Sequence, residues 1–168
     1  MSSRITKIVV FLQPVVRGDA PRLVLYCGMN QEGPIIIIED DLDDQQMLKE
    51  IFAELHVTNE LIFVDTGKEA ITLLENSSMR PFLIISDINI PTMSGLEVRA
   101  AIDRHEQDRV RCVPYVFLST AASHQTICDA YALSVQGFFM KPDTFKELKE
   151  TIRCILLYWQ RGKTPNKD

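Results

Sequence analysis

Four charged residues follow directly on short apolar runs. Glu39 and Asp40 come after Ile35–Ile38, Asp87 after Phe82–Ser86, and Lys141 after Gly137–Met140, while Ser119 closes a further run, Tyr115–Ser119. Each has an ordinary reading on its own: an aspartate can cap the next helix, Asp87 can turn the chain before Pro91, Ser119 can bond its own backbone, and a lysine can simply be solvated. Local structure does not require the whole set. Brought together, Glu39, Asp40 and Asp87 would gather three negative charges, and two carboxylates about 4 Å apart repel by roughly 4 kcal/mol at an effective dielectric of 20. A cation must share such a site. Lys141 supplies one positive charge, and a hard divalent ion such as Mg2+ supplies two, bound through a few carboxylates, a backbone carbonyl and waters. An aspartate in that setting can act as a nucleophile toward phosphorus and form an acyl phosphate. Phosphoryl transfer rests mainly on positioning and charge neutralisation, which Lys141 and the ion would provide while the Ser119 hydroxyl donates to a phosphoryl oxygen.

For these side chains to meet, the runs that carry them must be neighbouring strands. From Pro34 onward the chain alternates apolar runs with helix-period stretches, the signature of five βα units around a parallel sheet, with Leu61–Val64 as the second of the five strands. Met47, Leu48, Ile51, Phe52 and Leu55 mark the first helix, and Leu148, Ile152, Ile155, Leu156 and Trp159 the last. Thr66 with Glu69, Ser94 with Glu97 and Thr144 with Glu147 read as capping boxes that fix three helix starts. Such an alternation predicts a doubly wound α/β sheet with helices on both faces, whose ligands sit at the carboxyl ends of the strands.

The chain has 168 residues and a formal net charge of −5, which predicts one domain and disfavours direct binding to nucleic acid or an anionic membrane. No apolar stretch is long enough for a transmembrane helix, and Arg17, Asp19 and Arg22 spoil a secretory signal, so a cytoplasmic protein is expected. Cys27, Cys112, Cys128 and Cys154 form no C-x-x-C pair and are read as free thiols without a histidine at ligand spacing. His56, His105 and His124 lie in polar stretches and read as solvated. Residues 1–33 do not fit the alternation and are expected to be an N-terminal extension, loosely ordered or a surface hairpin; a second reading takes Met29 as the natural start. The domain is expected over residues 34–160, with a polar C-terminal tail at 161–168.

The strings Ile35-Ile36-Ile37-Ile38-Glu39-Asp40-Asp41, Phe82 through Gly95 (FLIISDINIPTMSG), Val116-Phe117-Leu118-Ser119-Thr120 and Gly137-Phe138-Phe139-Met140-Lys141-Pro142 resemble, in order, the receiver domains of two-component response regulators. The resemblance implies a flavodoxin-like fold with strand order 2-1-3-4-5. It implies Asp87 as the phospho-acceptor, Glu39 and Asp40 as the acidic pair with Asp40 the direct metal ligand, and a backbone carbonyl of Asn89 offered to Mg2+ or Mn2+. Ser119 and Lys141 complete the site. Phe138 matches the aromatic switch that turns inward when the hydroxyl is drawn to the phosphate, and Asn89 and Ala121 match positions that influence dephosphorylation. Thr120 stands where the family often has alanine, and its larger side chain could narrow access to the phosphate. Asp41, Asp43 and Asp44 are expected at the solvated start of the first helix, where negative charge suits the dipole, and not as ligands.

After Lys141 only 27 residues remain, too few for an output domain, so a stand-alone regulator is expected, not an enzyme with a separate substrate. It would take its phosphoryl group from a sensor histidine kinase or a histidine phosphotransfer protein and signal to a downstream protein target. The run Ile155-Leu156-Leu157-Tyr158-Trp159 is too apolar for one core-facing stripe. It reads either as a well-covered helix with one surface aromatic or as a homodimer or partner surface on the fourth and fifth helices. A receiver ending in a Tyr-Trp helix also resembles regulators paired with bacterial phytochrome-type kinases. A haloacid-dehalogenase-like phosphatase is disfavoured because Asp87-Ile88-Asn89 lacks the second aspartate, and an inert pseudo-receiver because Asp87, Lys141 and Ser119 are all present.

Overall fold

The computed structural model describes residues 31–76, 78–106 and 108–162. The expectations for residues 1–30, with Cys27 and the start at Met29, and for the tail beyond Gly162 lie outside the described residues. Five strands, β1 (Ile35–Ile38), β2 (Leu61–Val64), β3 (Leu83–Ser86), β4 (Tyr115–Ser119) and β5 (Gly137–Met140), pair in parallel in the order β2-β1-β3-β4-β5. Between and after them run α1 (Leu42–Glu54), α2 (Gly67–Asn76), α3 (Gly95–Asp103), α4 (Asp108–Arg111), α5 (His124–Ala132) and α6 (Phe145–Arg161). This is the doubly wound, flavodoxin-like architecture. The sequence pattern missed α4, a single turn, so the fourth and fifth helices it anticipated are α5 and α6.

Position in the sheet explains strand composition. The central strands β1, β3 and β4 are buried at every residue, as strands covered on both faces must be, whereas the edge strands β2 and β5 are largely half-buried. Side chains alternate between two cores: Ile35, Ile37, Ile85 and Leu118 pack under α1 and α6, and Ile36, Ile38, Ile84 and Phe117 under α2, α3 and α5. On α6, Leu148, Ile152, Ile155 and Leu156 form the buried stripe, each contributing about 1.5–3 kcal/mol. Trp159 lies against the same core, and Tyr158, 69% exposed, is the surface aromatic of the crowded run.

The helix starts are capped as their sequences imply. Ser94 and Glu97 complete a reciprocal capping box, and the Thr144 and Thr66 hydroxyls accept from the Glu147 and Glu69 amides. Asp41 caps α1, accepting from the amides of Asp43 and Asp44, and Ser123 caps α5. A buried arginine crosses between elements. Arg99 on α3 donates through Nε to the Leu133 carbonyl at 2.9 Å and through Nη2 to the Ser134 carbonyl at 3.3 Å, at the end of α5, while its Nη1 has no partner among the described residues. Burial pulls its pKa below the ordinary value.

The first residue of α3 presses on the strand end before it. The Gly95 amide donates to the Ile88 carbonyl at 2.9 Å, and a Cβ on Gly95 would stand 2.3 Å from the Asp87 carbonyl oxygen and 2.8 Å from the Phe117 ring. Neither backbone nor buried ring can give that much. Gly95→Ala is therefore expected to lower the free energy of unfolding by about 1–3 kcal/mol or more through overpacking. Denaturant unfolding measures it, and an unchanged midpoint would show that α3 can lift from the sheet without cost.

Candidate functional site

Ladder bonds running just past the strand ends set the pocket. The Glu39 amide donates to Val64 O, the Asp87 amide to Ile38 O and the Lys141 amide to Ser119 O, so the ends of β2, β1 and β3 are tied to one another and the end of β5 to that of β4. At these ends Glu39, Asp87 and Ser119 are buried, at 2%, 8% and 0% exposure. The Ser119 hydroxyl donates to Asp87 Oδ1 at 2.5 Å, and the same oxygen accepts from the amides of Ile88 at 2.5 Å and Asn89 at 3.3 Å. Asp87 Oδ2 takes no hydrogen bond among the described residues and stands 3.6 Å from Lys141 Nζ. Asn89 Nδ2 lies 3.4 Å from both Ser119 Oγ and the Ala121 carbonyl, closing the rim.

Lys141 is held by two other carboxylates. Its ammonium donates to Glu39 Oε2 at 2.5 Å and to Asp44 Oδ2 at 2.6 Å, and its side chain is 5% exposed. Burial works to lower its pKa, but the hydrogen bonds to Asp44 and Glu39 and the charges of Glu39 and Asp87 outweigh it, so the ammonium is held above its ordinary value. Burial is also the largest influence on Glu39 and lifts its carboxyl above the usual range, against the pull of Lys141.

Of the residues singled out in the sequence, Glu39, Asp87, Asn89, Ser119 and Lys141 are brought into direct contact. Asp40 sits beside them, exposed, without a side-chain partner among the described residues. Thr120 and Ala121 are exposed at the mouth, and Phe138 is half-buried against the Phe117 ring with centroids 5.8 Å apart. Asp44 corrects the expectation of a solvated helix start, because it turns inward to Lys141. Gln45 was also missed: it is buried and bridges the Glu39 carbonyl and Asp65 Oδ1, each at 2.7 Å. The helical period that turns Leu48 inward places residues three and four positions earlier on the same side, which is the signal for both. His105 is half-buried, not solvated, and His124 lies one turn from Cys128, with Nδ1 3.7 Å from Sγ, although no histidine at ligand spacing was expected.

The donor set suits a hard cation. Every anionic group here offers carboxylate oxygen, and Asp40 has no side-chain partner among the described residues. Few protein oxygens with room for waters is the coordination that Mg2+ and Mn2+ accept.

These features agree with the outcome of comparison to known proteins. The model of the response regulator receiver domain matches residues 35–153. The chain belongs to the response regulator receiver family. The response regulator Rcp1 of Synechocystis is 28% identical over 130 residues, covering 74% of this chain and 87% of that protein. A crystal structure of the phosphorylated cyanobacterial phytochrome response regulator RcpA superposes with a TM-score of 0.71 at 29% identity, covering 79% of this chain and 97% of that one. The Mn2+-bound form of Rcp1 gives 0.70 at 28% identity, covering 80% and 99%. This receiver thus falls within two-component signalling, and among its described residues no helix is long and apolar enough to cross a membrane.

Glu39, Asp44 and Asp87 share one ammonium and Asp40 adds a further negative charge next to Glu39 in the chain, so the receiver carries uncompensated repulsion at this end of the sheet. Without divalent ions, Asp40→Asn is expected to raise the free energy of unfolding by a fraction of a kcal/mol. Mg2+ at a hundred times its Kd should add about 2.7 kcal/mol to the wild type and clearly less to the variant. Chemical unfolding with EDTA and with Mg2+ checks both, and equal gains would remove Asp40 from the metal site.

Proposed function

We propose that this receiver accepts a phosphoryl group on Asp87 from the phosphohistidine of a sensor histidine kinase or a histidine phosphotransfer protein, in a Mg2+-dependent reaction. The observation that carries the reading is the asymmetry of Asp87: Oδ1 takes three hydrogen bonds, while Oδ2 takes none and faces Lys141. Oδ2 is the nucleophile. Its electron pair forms the new bond to phosphorus as the phosphorus–nitrogen bond of the donor breaks and that pair returns to the imidazole. Asp40, Asp87 and the Asn89 carbonyl would hold the metal, with Glu39 adding charge behind them. When bound, Mg2+ neutralises charge on the phosphoryl oxygens. The Ser119 hydroxyl moves from Asp87 Oδ1 to a phosphoryl oxygen, and the Lys141 ammonium donates to another. The Ser119 shift, transmitted to the packing of Phe138, changes the outer surface. Asn89, Thr120 and Ala121 border the path by which water reaches the acyl phosphate and so influence its lifetime.

The surface that reads this change is placed over α5, β5 and α6. Tyr131, Met140 and Tyr158, at 54%, 47% and 69% exposure, put large apolar side chains in water on those three elements, which favours a protein target or a second copy as occupant. The similarity to RcpA, a phytochrome response regulator, favours a photoreceptor-type kinase as the donor. The absence of a long apolar helix among the described residues agrees with action in the cytoplasm.

Intact mass after incubation with a small-molecule phosphodonor is expected to show one added phosphoryl group with Mg2+, almost none without it, and none for Asp87→Asn. A folded, Mg2+-loaded wild type that gains nothing would make the chain a pseudo-receiver, and steady turnover of phosphate esters would make it a phosphatase.

A further inference from the structure

Lys141 reaches the pocket on a flexible four-carbon stem, and the sheet fixes only its backbone, through the bond from its amide to Ser119 O at 2.8 Å. Where the ammonium stops depends on its partners. Held by Glu39 alone, Nζ could close on Asp87 Oδ2, which is 3.6 Å away and has no hydrogen bond of its own. A lysine seated on that oxygen would engage the electron pair that has to attack phosphorus. The second carboxylate comes from α1 and not from the sheet: Asp44 Oδ2 is 2.6 Å from Nζ. With two N–H groups committed to Glu39 and Asp44, one remains, and Nζ stands beyond hydrogen-bonding reach of the acceptor. The gap leaves room for a phosphoryl oxygen, attached through phosphorus to Oδ2, to approach Nζ at the usual charge-assisted distance of about 2.8 Å.

We propose that Asp44 is a positioning residue for phosphoryl transfer: it holds the Lys141 ammonium off Asp87 Oδ2 and keeps its third N–H for the incoming phosphoryl group. The proposal rests on Asp87 being the acceptor. It separates Asp44 from its neighbour Asp43, which lies in the same first turn, carries the same charge and is exposed without contact to Lys141. A general effect of helix dipole or net charge would belong to both residues.

The test is the rate of phosphorylation of the full chain by phosphoramidate at saturating Mg2+, followed by intact mass, with the melting transition of each variant confirming that it is folded. Asp44→Ala is expected to slow the reaction at least tenfold. Asp44→Asn, whose amide oxygen can still accept from the ammonium, should fall between it and the wild type, and Asp43→Asn should stay within about twofold of wild type. In a Lys141→Ala background, Asp44→Ala should cost nothing further, because the two residues act as one unit. An Asp44→Ala rate equal to wild type, an equal loss in Asp43→Asn, or the full loss repeated in the Lys141→Ala background would overturn the assignment. Failure of Asp87 as acceptor looks different: the wild type itself gains no phosphoryl group, or Asp87→Asn still gains one, and the positioning role then falls with it.

Discussion

One buried ammonium set among three carboxylates is the interaction on which the rest of this receiver depends. No single element could assemble it, because Glu39 follows β1, Asp87 follows β3, Lys141 follows β5, and Asp44 comes from α1. The parallel order puts β1, β3 and β4 side by side with their carboxyl ends level, and ladder bonds continue one residue past the strands to hold the row. The apolar strands supply the rigidity that crowding like charges requires. A looser scaffold would let the carboxylates drift apart into water, and the field that favours a divalent ion would go with them.

Most of this arrangement could be read from the sequence because the strands are buried on both faces. Ile35–Ile38 and Tyr115–Ser119 are apolar without interruption, so a charged or hydroxylated residue at the end of each run stands out. The capping pairs at Ser94 and Thr144 were legible for a related reason, since the chemistry lies within four residues of sequence. Contacts set by rotation about a helix or by long side chains were harder to see. Asp44 looked like one more acid in an acidic helix start, and only the phase of α1 turns it toward Lys141 while leaving Asp43 in solvent. Arg99 gave no signal as a clamp on α5 because its hydrogen-bond partners there are backbone carbonyls, which have no residue identity. The short α4 escaped because four residues cannot display a period of 3.6.

The site and the outer surface are joined through close packing more than through polar chains. Gly95 lies against the carbonyl of Asp87, the Phe117 ring lies against the same glycine and against Phe138, and Phe138 leads to the strand that carries Lys141. Such contacts have little slack, so a rearrangement at Ser119 cannot be absorbed locally.

The guanidinium of Arg99 gives helix α5 a mechanical asymmetry. It grips the carbonyls of Leu133 and Ser134 just beyond the last turn, whereas within the helix only Ala130 is buried and the first turn is capped by Ser123. The helix is thus a cantilever, clamped at its far end and weakly seated at the end nearest the pocket. On the proposed mechanism, a displacement arriving from Ser119 through Ala121 would enter at the free end and emerge as a swing about the clamp, greatest at His124 and least at Leu133.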